Sequence, residues 1–131
     1  MMKMVKGISH IGIPCENLQK SMKFYQELGF DVQAHKNNLD GFNVAMMQAG
    51  SCIVELYQSV NKVDSPEKNG MIDHIALKCE DVEKVYVKCL EMGKTIITDI
   101  EETKIYSPAI CRYFYILGPD GERIELIQTN C

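Results

Sequence analysis

The sequence predicts an α+β fold of two βαβββ modules whose curved mixed sheets form a cavity, and three observations predict it. The chain repeats at its module starts: Ile8, His10, Ile11, Cys15, Glu16, Lys20, Glu27 and Gly29 recur 64 residues on as Ile72, His74, Ile75, Cys79, Glu80, Lys84, Glu91 and Gly93. It repeats again at its module ends, where Val54-Glu55-Leu56-Tyr57-Gln58 matches Ile124-Glu125-Leu126-Ile127-Gln128 at an offset of 70. Between start and end, each half carries one stripe of helical period and several runs of strand period. The difference between the two offsets places a six-residue insertion in the second copy.

In chain order, each module opens on an alternating strand, with Ile8, His10 and Gly12 on one face and Ser9, Ile11 and Ile13 on the other. A helix follows. In the first module Asn17 is its N-cap, Leu18, Met22, Tyr25 and Leu28 its apolar stripe, and Gly29 its stop. In the second, Asp81 caps, Val82, Val85, Tyr86, Cys89 and Leu90 pack, and Gly93 stops. Three strands are then expected near Phe30 to His35, Phe42 to Gln48 and Cys52 to Tyr57. Their counterparts are near Thr95 to Ile100, Arg112 to Leu117 and Arg123 to Ile127, with Gly118-Pro119-Asp120-Gly121 as a turn. The whole, residues 1–131, reads as one domain, with module one over about 5–58 and module two over about 71–129. A polar linker near Ser59 to Gly70 joins them.

Composition narrows the class of function. A hydrophobic share of 46% against 24% charged residues is ordinary for a globular core. The net charge of −4 and the scattered lysines leave no footprint for nucleic acid. No apolar run reaches the roughly 18 to 20 residues of a membrane span, and Met1 to Gly7 leads into no apolar secretory segment. A cytoplasmic protein is expected. Its six cysteines, without any CxxC spacing, then read mainly as small buried hydrophobes rather than as disulfides or a zinc ribbon.

Strand alternation singles out four residues. Val54 and Leu56 flank Glu55, and Ile124 and Leu126 flank Glu125. If the apolar neighbours face the helix, both carboxylates face the other surface of the sheet. Ile11 and Ile13 send His10 the same way, and Ile75 and Leu77 send His74. A lone histidine or glutamate in a strand is most often structural. Four at repeat-equivalent positions, with two carboxylates that repel unless neutralised, point instead to one divalent metal ion. Two imidazoles and two carboxylates suit an octahedral site with two open positions. Nickel, cobalt, zinc, manganese and iron(II) all fit that donor set. His35 has no repeat partner and reads as a surface residue.

These residues resemble the vicinal oxygen chelate superfamily, and more narrowly its glyoxalase I group, over nearly the whole chain. The resemblance rests on His10 followed by Asn17 to Phe30, on Asp73-His74-Ile75-Ala76, and on Gly118-Pro119-Asp120-Gly121-Glu122-Arg123-Ile124-Glu125-Leu126. It implies metal ligands His10, Glu55, His74 and Glu125 in the order of bacterial nickel- or cobalt-dependent glyoxalase I. It also implies proton transfer next to a carbonyl through a metal-stabilised enediolate, as on the thiol hemithioacetal of a 2-oxoaldehyde. Glu55 and Glu125 are the catalytic carboxylates, with Glu125 favoured as base. Substrate contacts are expected from Met46, from Arg112, Tyr113 and Arg123, and from the inserted segment Glu101 to Cys111. Pro14 stands where glutathione-using members commonly place Arg, and Ser59 where they favour Asn. Asn37-Asn38-Leu39-Asp40 lacks the base of acyl-thioester epimerases in register. An epimerase of such thioesters and a non-catalytic binder of the bleomycin-resistance kind are the alternatives. An iron(II) dioxygenase usually needs three ligands and a longer chain. The expected partners are a small carbonyl substrate and a second copy in a homodimer, since such sheets leave edges to cover.

Overall fold

The computed structural model describes residues 8–61, 74–103 and 108–128. The chain divides after Glu67 into two compact units, each with its own sheet and helix. The first runs β1 (Ile11–Pro14), α1 (Leu18–Glu27), β2 (Asp31–Leu39), β3 (Phe42–Ala49), β4 (Cys52–Ser59). Its sheet has the order β1-β4-β3-β2, with β1 parallel to β4 and the remaining pairs antiparallel. A parallel pair needs a crossover, and α1 supplies it.

Local chemistry sets the helix ends. The Asn17 side chain accepts from the Lys20 amide at 3.1 Å, and Gln58 at the end of β4 accepts from the Leu18 amide at 2.8 Å. Two of the amides that a helix start leaves unpaired are thereby satisfied. Gly29, at φ +102°, takes the left-handed turn that ends α1. One face of α1 buries Leu18, Ser21, Met22, Phe24 and Tyr25. Ala45 and Met47 of β3 and Val54 and Leu56 of β4 are fully buried on the sheet. Asp40 and Gly41, both at positive φ, make the two-residue hairpin that closes Leu39 on Phe42.

The second unit runs β5 (Ile75–Cys79), α2 (Val82–Glu91), β6 (Thr95–Ile96), β7 (Glu101–Thr103), β8 (Cys111–Leu117), β9 (Arg123–Gln128). Its sheet has the order β5-β9-β8-β6, with β7 also paired to β8, and β5 is again parallel to β9. The start of α2 repeats that of α1: Asp81 accepts from the Lys84 amide at 3.2 Å and Gln128 from the Val82 amide at 3.1 Å. The matched glutamines at the module ends thus tie the last strand to the helix start.

Several expectations are corrected. The run Thr95 to Ile100 is not one strand. Thr98 turns its hydroxyl oxygen inward to accept the Tyr115 amide at 2.9 Å, which a backbone carbonyl would otherwise take, and the ladder breaks into β6 and β7. Leu90 does not pack: it is 57% exposed. Val82 and Cys89 define the buried stripe of α2, and Leu90 lies about 100° round the helix from Cys89. His10 and His74 stand one residue ahead of β1 and β5, whose pairing begins at Ile11 and Ile75. Cys15, Cys52, Cys79 and Cys89 form no disulfide, but Cys111 is disulfide-bonded. Met1 to Gly7, most of the expected linker, the stretch 104–107 and Cys131 lie outside the described residues. Among the described residues, no helix is long and apolar enough to cross a membrane.

Candidate metal centre

In the first unit, β4 turns Val54 and Leu56 into the core and therefore turns Glu55 to the opposite, open face. His10 reaches the same face just before β1. Its Nε2 lies 4.0 Å from Oε1 of Glu55, with the two side chains 41% and 34% exposed. The Ser9 hydroxyl lies 3.0 Å from His10 Nδ1, which leaves Nε2 toward the carboxylate. Across the sheet from Glu55, Met46 of β3 is its register partner. Met46 is half-buried and its neighbour Met47 is core, as alternation requires.

The second unit repeats the arrangement more tightly. Ile124 and Leu126 are buried, Glu125 faces away, and its Oε1 lies 3.3 Å from Nε2 of His74, with Glu125 only 12% exposed. Here the register partner is Tyr115 of β8. The Tyr115 hydroxyl donates to Oε1 of Glu125 at 2.7 Å and lies 3.4 Å from His74 Nε2. Burial, followed by that hydrogen bond and the carboxylate's charge, pushes the Tyr115 phenol up to about 12. It therefore stays a donor through the neutral range. Sequence reasoning missed this residue because its first-module counterpart is apolar. The turn at Gly118 to Gly121 was the available signal, since closing Leu117 on Arg123 sets Tyr115 opposite Glu125.

The other expected substrate contacts divide by face. Tyr113 and Arg123 share the open face with Tyr115 and Glu125. Arg123 places its guanidinium 5.0 Å from the Tyr115 ring centre, and Tyr113 donates to Glu101 at 3.1 Å. That bond, more than burial, raises the Tyr113 phenol above its ordinary range. Arg112 has the parity of the buried Phe114 and Ile116, on the helix side, where it pairs with Glu83 of α2 at 2.7 Å. Three thiols are held in their protonated form: burial, helped by Asp81 and Cys89, pushes the Cys79 thiol up to about 11, and burial raises Cys52 and Cys89.

Each pair can be tested against a metal by its own spacing. Two donors bound about 2.1 Å from one ion lie about 3.0 Å apart at a right angle and about 3.4 Å apart at the tetrahedral angle. The 3.3 Å of His74 and Glu125 falls between these values, and the 4.0 Å of His10 and Glu55 would need to close by under 1 Å. The nitrogen and oxygen donors suit a borderline divalent ion. Among the described residues, no group of three or more His, Cys, Asp or Glu could hold an ion, so each module by itself presents two donors.

Comparison with known proteins places the chain in a family. The profile of the Glyoxalase/Bleomycin resistance protein/Dioxygenase superfamily matches residues 7–126. Uncharacterized protein YwbC of Bacillus subtilis (strain 168) is 35% identical over 130 residues, covering 95% of this chain and 99% of YwbC. A probable lactoylglutathione lyase of Synechocystis sp. is 28% identical over 127 residues, covering 92% of this chain and 94% of that protein. The crystal structure of the glyoxalase family protein from Enterococcus faecalis superposes with a TM-score of 0.75 at 25% identity, covering 93% of this chain and 97% of that one.

Proposed function

We propose, from the premise that this chain belongs to the Glyoxalase/Bleomycin resistance protein/Dioxygenase superfamily, that it is a metal-dependent lyase or isomerase of the glyoxalase I type. The observation that carries this reading is the His–Glu pair set at equivalent places on the open face of each module's sheet. His10 with Glu55, and His74 with Glu125, would each supply two ligands of a divalent ion, the set of four completed within one chain or across a homodimer: nickel, cobalt or zinc first, with manganese and iron(II) also compatible with the donors. Such an ion, when bound, supplies Lewis-acid stabilisation of the charge that builds on a substrate oxygen as a neighbouring carbon loses its proton.

The chain's own residues supply the proton chemistry. Glu55 and Glu125 are the proton carriers, one removing the proton and the other able to return it. Glu125 is the more sheltered of the two, and a sheltered carboxylate exchanges its proton with substrate in preference to water. Met46 offers an apolar contact beside Glu55, while Tyr113 and Arg123 offer a phenol and a cation on the face that carries Glu125. The substrate we favour is the thiol hemithioacetal of a 2-oxoaldehyde, a reading supported by the similarity to the Synechocystis protein. Pro14 and Ser59 stand where glutathione-using members carry polar contacts, so the thiol is to be found by trial. A homodimer belongs to the same reading, because β2 is exposed along its whole length and leaves an edge for a second copy.

The test is metal analysis of the purified protein, followed by chelation, reloading with nickel, cobalt or zinc, and assay on methylglyoxal hemithioacetals of glutathione and of other thiols. Activity should vanish on chelation and return with metal, and Glu125→Gln should lower kcat by about 10² to 10⁴. A protein that binds no divalent ion and turns over none of these hemithioacetals would overturn the reading.

A further inference from the structure

The two donor pairs differ in one group that the metal reading above does not use. Tyr115 stands opposite Glu125, and Met46 stands opposite Glu55. We propose that Tyr115 is the positioning residue of the second pair: its hydroxyl holds Glu125 oriented as a metal ligand, which leaves the first pair the looser one. This rests on the metal reading, and its test is chosen to fail separately from it.

The phenol is fixed from several sides. Its backbone amide donates to Thr98 Oγ1 and its carbonyl accepts from the Ile97 amide, both at 2.9 Å. Its ring meets the His74 imidazole edge-on, with centroids 5.2 Å apart, and the Arg123 guanidinium lies 5.0 Å from its centroid. A hydroxyl held in this way donates to Glu125 at 2.7 Å from a set position. A carboxylate offers about four lone-pair sites. The phenol takes one and leaves the others for an ion, while stopping the carboxylate from rotating. Hydrogen bonds of this outer kind to ligating carboxylates are worth about 10- to 100-fold in metal affinity. The Met46 thioether has no proton to donate, and the first pair is correspondingly wider and more exposed.

The experiment is a zinc titration of the metal-free protein, read by calorimetry, on wild type, Tyr115→Phe and Tyr115→Met. The methionine variant copies the first module and guards against a defect peculiar to phenylalanine. The chain has no tryptophan and six tyrosines, so its near-ultraviolet signal is tyrosine signal and gives a second readout. Both variants should bind zinc about 10- to 100-fold more weakly than wild type. The zinc-induced tyrosine difference spectrum should be lost in both, and the melting temperature of the metal-free Tyr115→Phe protein should change little. Wild type binding zinc while both variants bind within about twofold of it would overturn the positioning role and leave the metal reading standing. No zinc binding by wild type would overturn both.

Discussion

The two modules share a backbone plan and have placed their bulk differently. In the first, α1 buries five residues, among them Tyr25 at zero exposure, packed edge-on against Phe24 and Phe30. In the second, α2 buries only Val82 and Cys89. By the repeat, Tyr25 corresponds to Cys89, Phe24 to Lys88 and Phe30 to Lys94. The strands compensate: Ala45 precedes the register partner of Glu55, whereas Phe114 precedes that of Glu125, and both are fully buried. Large on the helix with small on the strand became small on the helix with large on the strand. Close packing demands that total volume be kept, not that each residue be kept. On the opposite face the order reverses, because the second module has the tighter donor pair and the phenol. One module has the better-anchored helix and the other the better-formed pair.

The largest effect should come from breaking that volume exchange. Tyr25→Ala removes a fully buried aromatic and should cost about 3 to 5 kcal/mol in urea unfolding, whereas Cys89→Ala at the equivalent place should cost under about 1.5 kcal/mol. Equal costs would mean that the modules do not divide their packing in this way.

Next in size is the division of metal affinity. His74→Ala should weaken zinc binding about tenfold more than His10→Ala, a difference of about 1.4 kcal/mol, because the 3.3 Å pair is nearly set for an ion and the 4.0 Å pair is not. Matched titrations of the two variants measure this, and a larger loss in His10→Ala would reverse the comparison.

Smaller still are the helix starts, where the modules should agree. Asn17→Ala and Asp81→Ala each remove an acceptor from a helix amide and should each cost about 1 kcal/mol by thermal unfolding. A difference between them well above 0.5 kcal/mol, on the order of the ordinary scatter for such sites, would show that the two caps are not equivalent.

How far the sequence carried can be judged from the same residues. The repeat placed the helices, the last strands and the faces of Glu55 and Glu125, because period-two alternation survives wherever one side of a strand is buried. It misplaced Leu90, since an apolar residue beside a helical stripe looks like part of it when read as a string. The side taken by Arg112 was legible: its parity with Phe114 and Ile116 sets it on the helix side, where it meets Glu83. The break between β6 and β7 was not legible, because it depends on the Thr98 hydroxyl meeting an amide 17 residues away. Tyr115 was legible in part, since its parity against Phe114 and Ile116 and the turn at Gly118 to Gly121 set it opposite Glu125, whereas its hydrogen bond to that carboxylate depends on side-chain placement that the string does not carry.

A further effect should appear in alkali and concerns the second module. Folding raises the Tyr115 phenol from its ordinary value near 10 to about 12, through burial first and then the bond to Glu125. Between those values the folded protein keeps a proton that the unfolded chain has released, so stability falls as pH rises through that window and is unaffected below it. Tyr113 adds to the fall in the same direction, through its bond to Glu101. Tyr115→Phe cannot ionise at this place. Its urea midpoint should therefore decline less than that of wild type between about pH 9 and pH 11.5. Tyr57, which lies on the open face of the first module, supplies the control. Tyr57→Phe should leave the Tyr115 part of the alkaline decline in place, and an equal rescue by both substitutions would remove the distinction between the two faces.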